Sequence, residues 1–155
     1  MCMRRVWVKT PSFNDFVTIM KVHNEVFQGE PNFRDYTAEI GFERMKKEND
    51  VAFVEVFDGN KMVGYAMCYN RYPGLYHIWQ LGVLKPHRSK GIGTQICDEI
   101  EKYARERKYK GVSLNTFNSH KNNIILIIKR GYQIYDIDKT GEFKDWPKIM
   151  LKLEF

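Results

Sequence analysis

The chain has few cysteines and no pattern among them. Cys2, Cys68 and Cys97 include no CxxC pair and no zinc-ligand spacing, and an odd number cannot pair completely. That argues against a disulfide-stapled secreted scaffold and a structural zinc site, and points to a reduced, cytoplasmic protein with incidental thiols. No apolar run approaches the roughly 18 residues of a membrane-spanning helix, and the opening MCMRRVWVKT lacks a signal-peptide apolar core. Only 5 prolines occur, and no Pro/Ser-rich linker, low-complexity tract or internal repeat breaks the 155 residues, which read as one domain, 1–155. Charge is not concentrated either: 25 Lys and Arg against 19 Asp and Glu leave +6, spread along the chain rather than in blocks. With no helix-turn-helix, zinc or RNP pattern, a nucleic-acid partner is not expected; the basic excess is either a solvated surface or a match for an anionic small ligand.

What is present is the composition of a globular protein, 43% hydrophobic and 14% aromatic. RRVWVK (residues 4–9) reads as a strand, and Phe16, Met20 and Phe27 then recur at helical spacing. Residues 28–35 (QGEPNFRD) are loop-like, and Thr37 is positioned to cap a short helix reaching about Lys47. VAFVEVFD, the turn residues DGN and MVGYAMCYN form a hairpin signature, and a turn at Pro73-Gly74 leads to LYHIWQLGV. A helix striped by Ile96, Ile100, Tyr103 and Ala104 follows, with Gly111 read as its terminating glycine. VSLN is a short strand, residues 120–130 a helix closed by Gly131, and the C-terminus alternates Ile149, Leu151, Leu153 and Phe155 against Lys148, Lys152 and Glu154. This order predicts an α/β (α+β) domain with a largely antiparallel sheet and at least one crossover helix.

The chemistry concentrates at HRSKGIGTQI (residues 87–96), between the strand ending near Val83 and the helix starting near Gly93. The first N–H groups of a helix lack intrahelical partners and carry the positive end of its dipole, so a glycine-rich turn there suits an anion. Gly91 and Gly93 would let a phosphate approach the backbone, with Arg88 and Lys90 adding charge. The same residues also suit a tight turn with surface basic groups. The Walker A spacing is absent, and Gly91-Ile92-Gly93 lacks the third glycine of a dinucleotide fingerprint.

The stretch LGVLKPHRSKGIGTQICDEIEKYA resembles the acetyl-CoA-binding motif of the GNAT N-acetyltransferase superfamily. Arg88 to Gly93 match its Arg/Gln-x-x-Gly-x-Gly/Ala hexapeptide, five residues after the strand valine Val83, and KRGY (residues 129–132) is similar to the family's K-x-G-F ending. Pro86 sits one position later than the family's usual proline. The resemblance covers nearly the whole chain. It implies a mixed, mostly antiparallel central sheet of six to seven strands flanked by about four helices. It implies acetyl-CoA as cosubstrate, with the N–H groups of Ser89, Lys90, Gly91, Ile92, Gly93 and Thr94 cradling the pyrophosphate beside Arg88. The backbone of Leu81 and Val83 would pair with the pantetheine arm. The family's CoA-contacting asparagine falls at His120, and Asn115, Asn118 and Asn122 are neighbours able to substitute.

Acetylating an alkyl amine requires a neutral nitrogen, and deprotonation from a pKa near ~10.4 costs roughly 4–5 kcal/mol at pH 7. A general base is therefore expected. The position of the family's glutamate, six residues before Val83, holds His77. On strand alternation His77 shares a face with Trp79, Leu81 and Val83, and its type suits a base near neutral pH; a packing histidine is the alternative. The position of the family's proton-donating tyrosine is Ile127, which cannot donate. Cys68 and Cys97 are more naturally small core residues than nucleophiles, so direct attack is expected. Loop 28–35 and Tyr65, Tyr69 and Tyr72 are candidate walls for a small-molecule or peptide amine acceptor. The alternative is a CoA-binding sensor or partner module that has lost catalysis, and a homodimer is open as an assembly.

Overall fold

The structure, a computed structural model, describes residues 3–30 and 35–155. Alternating apolar residues build β1 (Arg4–Lys9), β2 (Asn49–Asp58), β3 (Lys61–Tyr72), β4 (Leu75–Val83), β5 (Gly111–Phe117), β6 (Gln133–Asp138) and β7 (Lys148–Glu154). They pair into one seven-stranded sheet of order β1-β2-β3-β4-β5-β7-β6. Every neighbouring pair is antiparallel except β4 and β5, whose parallel pairing requires a crossover.

Helix α3 (Ile92–Glu106) makes that crossover, with α1 (Phe13–Phe27), α2 (Ala38–Met45) and α4 (Lys121–Lys129) completing the helices. The α1 start is fixed by a capping box, Ser12 accepting from the Asp15 N–H while the Asp15 carboxylate accepts from the Ser12 N–H, and Thr37 caps α2 as its sequence position predicts. Helices cover both faces of the sheet. Val54, Ile78, Ile96, Ile100, Leu114 and Ile127 fill the core beneath α3 and α4, while Phe16, Ile19, Met20, Phe53, Met67 and Trp79 fill the core beneath α1 and α2. Buried Cys68 and Cys97 belong to the first core as free thiols. No helix among the described residues is long and apolar enough to cross a membrane.

Three local readings are corrected by the structure. Gly111 does not terminate α3: the helix stops at Glu106, Lys108 takes the left-handed conformation (φ 65°), and Gly111 opens β5. There a Cβ would lie 2.1 Å from the Leu153 carbonyl oxygen, so strand packing demands the glycine. Strand β6 has no separate signal because Ile134, Tyr135 and Ile137 are all exposed along an edge strand, leaving no inward stripe to read. Finally, β4 does not alternate uniformly. Its pairing with β3 slips between Ile78 and Gln80, a bulge that inserts Trp79. Trp79 therefore packs on the α1/α2 side while Leu81 and Val83 pack on the α3 side, and His77 does not share one strand face with all three.

Candidate active site

The β4 bulge shapes the site. Parallel pairing with β5 runs only from Leu75–Gly111 to Ile78–Leu114, and beyond it the two strands part. A cleft of about 320 Å³ opens at this divergence, lined by β4 residues 77–81, β5 residues 114–117 and side chains from α1, α2 and α4. Leu81, Asn115 and His120 are among the lining residues anticipated from sequence; Asn123 lines it where Asn118 and Asn122 do not.

Helix α3 follows β4 after a short turn, and residues 88–94 of that turn and helix start are not among those lining the cleft. Gly91 is the α3 N-cap in the left-handed conformation (φ 79°), Ser89 is left-handed as well (φ 63°), and no side chain caps the helix. The first helical donor is the Gln95 N–H, bonded to the Gly91 carbonyl, and no acceptor meets the N–H groups of Ser89 to Thr94 among the described residues. The chain thus presents a run of unpartnered donors at the positive end of a helix dipole, an arrangement made for a diphosphate-like anion. A Cβ on Gly91 would meet nothing within 4 Å, so its backbone conformation is what requires glycine. On Gly93 a Cβ would approach Leu126 of α4 at 3.2 Å, so that glycine serves helix packing.

Arg88 and Lys90 differ in employment. The Arg88 guanidinium donates to the carbonyls of Val83 (2.9 Å) and Val26 (3.5 Å), tying the turn to the end of β4 and to α1. Lys90 is exposed and makes no ion pair among the described residues. Arg130 bridges the two motif segments: its guanidinium donates to Asp98 (2.6 Å) and Glu101 (2.8 and 3.0 Å) on α3. Gly131 (φ 97°) closes α4, with the Tyr132 N–H bonded back to the Ile127 carbonyl.

Deeper in the cleft lies His77, only 1% exposed, its Nδ1 2.8 Å from the Ser113 hydroxyl. Tyr69 and Tyr72 pack edge-on against its ring, each with centroids 5.6 Å away. These two tyrosines form the layer behind His77 rather than lining the cleft, and Tyr65 is buried in a hydrogen bond to Nδ1 of His23. Burial, with the charges of Arg71, Arg44 and Lys148, pushes the His77 imidazole down to about 3. His77 is therefore neutral throughout the working range of an enzyme. His23, also on the cleft, is pushed down to about 4 by burial. The Cys97 thiol is pushed up to about 12, chiefly by burial, and that of Cys68 well above its ordinary value, so neither is a ready nucleophile.

On the opposite wall, Asn115 Oδ1, Thr116 Oγ1 and His120 Nε2 are buried without hydrogen-bond partners among the described residues. Buried polar atoms are nearly always paired, so three orphans on one cleft wall mark a surface shaped for a polar ligand. Burial also lowers the His120 pKa, opposed by Glu30. The sequence held no signal for His23, Tyr36, Arg44, Arg71 and Lys148, which α1, the segment before α2, α2, β3 and β7 bring to the cleft from remote positions. Loop residues 31–34, expected to help wall the acceptor, lie outside the described residues; Glu30 lines the cleft.

The family model described as Acetyltransferase (GNAT) family matches residues 16–132. The chain belongs to that family. Solved structures with the same fold include the ribosomal-protein-S18-alanine N-acetyltransferase of Escherichia coli (TM-score 0.78, 11% identity, 97% of this chain and 94% of that one). Another is the PaiA N-acetyltransferase of Thermoplasma acidophilum with coenzyme A (TM-score 0.75, 14% identity, 100% of both chains). An acetyltransferase from Bacillus anthracis str. Ames in complex with acetyl-CoA is 22% identical, with a TM-score of 0.64 over 73% of this chain; the chain spans 66% of it. No curated protein sequence matches the chain.

Proposed function

We propose that the protein transfers an acetyl group from acetyl-CoA to a primary amine by direct attack. The run of unpartnered N–H groups from Ser89 to Thr94 carries this reading, because it offers a diphosphate several donors at once. The cleft fits the same cosubstrate. Beyond Ile78 the β4 backbone is free of β5, so the segment holding Leu81 and Val83 can receive an extended pantetheine arm as an added strand. Asn115 and His120 offer orphaned polar atoms on the facing wall. Bound here, acetyl-CoA supplies an activated acyl carbon.

The chain's own residues then manage orientation and the proton. His77, neutral and held through Nδ1 by Ser113, has Nε2 as its remaining ring nitrogen. A base this weak does not strip a free ammonium ion, so the amine enters as its neutral fraction, its first proton lost to solvent. It serves as acceptor for the proton that the amine nitrogen sheds once bonding to the acyl carbon has made that nitrogen acidic, directly or through one water. Ile127 has no proton for the departing sulfur, so the thiolate leaves unassisted or is protonated by water. Neither buried thiol is needed, and the reduced state of both fits a cytoplasmic location.

Ile127 and the weak basicity of His77 favour one competing reading, a CoA-binding sensor of the same fold. Thiol release from acetyl-CoA, assayed with a panel of amines, separates the two. Turnover with an amine supports the transferase; coenzyme A binding without thiol release from any amine supports the sensor.

A further inference from the structure

The acceptor end of the cleft carries a charge pattern that the transfer reaction itself does not require. Arg44 comes from the last turn of α2, Arg71 from the end of β3 and Lys148 from the start of β7, and all three line the cleft. Each lies over an aromatic ring: Arg44 4.6 Å above Trp79, Arg71 5.1 Å above Tyr72, Lys148 4.4 Å above Phe143. None makes an ion pair with a carboxylate among the described residues, although six of the chain's other basic side chains do. The charges that act on His77 are these three cations and no acid; of the two acids on the cleft, Glu30 acts on His120 and Glu142 has a partner of its own.

Three convergent cations beside a buried neutral imidazole, of which only Lys148 also acts on an acid outside the cleft (Asp138, its register partner), raise the local potential. A polyamine or aminoglycoside would be repelled there. An acceptor with its own negative group would complete the site through charge-assisted hydrogen bonds, the two arginines offering planar forks that match a carboxylate. We propose that the acceptor is a small amino-carboxylate of the free amino-acid class, its carboxylate held by Arg44, Arg71 and Lys148 while its amine faces His77. This rests on the acetyltransferase reading and narrows its substrate.

The test uses matched acceptors with the intact protein: phenylalanine and alanine, their amides, the corresponding decarboxylated amines, and spermidine. The proposal expects kcat/KM for at least one free amino acid to exceed that of its amide by about tenfold or more, the scale of hydrogen bonds to a charged group. Arg44→Gln and Arg71→Gln should each raise the acceptor KM and shrink that preference, leaving the acetyl-CoA KM unchanged. Equal or better turnover of the amides, or a preference for spermidine, would overturn it. If no amine turns over, calorimetric titration of phenylalanine and of alanine into the coenzyme A complex tests the anion site apart from catalysis. Binding of either that Arg44→Gln and Arg71→Gln weaken several-fold would sustain the carboxylate site while the transfer reading fails. No binding of either, or binding indifferent to both substitutions, would sink the carboxylate site as well.

Discussion

Acidification should expose the cost of holding His77 and His23 neutral, and Glu55 supplies the control. In the native state His77 is pushed down to about 3 and His23 to about 4, whereas in the unfolded chain both return to 6.5. Each tenfold difference in proton affinity is worth about 1.36 kcal/mol. Below about pH 6.5 the unfolded chain binds protons that the native state refuses, so stability falls with falling pH. At about pH 4.5 each histidine accounts for a loss of about 2.5 kcal/mol. Glu55 acts oppositely. Buried on β2, and with Asp15 adding repulsion, its carboxyl is pushed up to about 7 from 4.5. Between those values the native state holds the extra proton, so acidification from about pH 7.5 to 4.5 returns about 3 kcal/mol.

From these three groups the wild type should lose only about 2 kcal/mol over that interval and Glu55→Gln, lacking the compensating group, about 5 kcal/mol, with His120, also lowered by burial, adding equally to both. Glu55→Gln should also be the more stable protein at about pH 7.5, by up to about 3 kcal/mol, because it removes a buried ionised carboxylate. Urea unfolding at several pH values measures both. Parallel pH dependences for the two proteins would mean that Glu55 titrates normally, and no acid loss in Glu55→Gln would mean that the histidines do. The neutral His77 on which the proton path depends would then be lost. The functional counterpart is that kcat/KM shows no break near pH 6.5 attributable to His77.

Charge removal should separate two roles in the turn. Lys90→Gln should weaken coenzyme A binding a few-fold and reduce its salt sensitivity, while Arg88→Gln, which cuts bonds to Val83 and Val26, should lower thermal stability as well. Arg130→Ala, leaving Glu101 and Asp98 without their partner between α3 and α4, should cost about 2–4 kcal/mol by denaturant titration, whereas Arg105→Ala on the exposed face of α3 should cost under about 1 kcal/mol. Gly111→Ala should be among the most damaging single changes, because its Cβ would meet a backbone oxygen at 2.1 Å that cannot swing aside; a melting temperature near that of the wild type would refute the close strand approach.

The sequence carried the fold through local signals that tertiary context left intact. Ser12 and Thr37 cap helices, Gly59 turns the first hairpin in the left-handed conformation, and the α3 stripe is buried at every expected position. The turn proposed to hold the diphosphate was legible because it is local: Ser89, Gly91 and the uncapped α3 form one continuous stretch. The acceptor end was not, since Arg44, Arg71, Lys148 and His23 converge from four elements and no spacing relates them. Alternation failed where its period broke, at the Trp79 bulge, and that bulge precedes the parting of β4 from β5. Gly111 shows the same limit from another side, because a glycine after a helix reads as a cap unless the partner strand is known.

The central claim is that the turn from Ser89 to Thr94 holds the diphosphate of acetyl-CoA, and calorimetric titration of coenzyme A into the wild type and Gly91→Val tests it most directly. A valine at φ 79° strains the N-cap backbone, yet its Cβ meets nothing within 4 Å, so the variant should fold. The account predicts one site per wild-type chain, weakened by salt, and a loss of about tenfold or more in folded Gly91→Val. No binding to the wild type, or equal affinity in a variant whose circular dichroism matches it, would contradict the account.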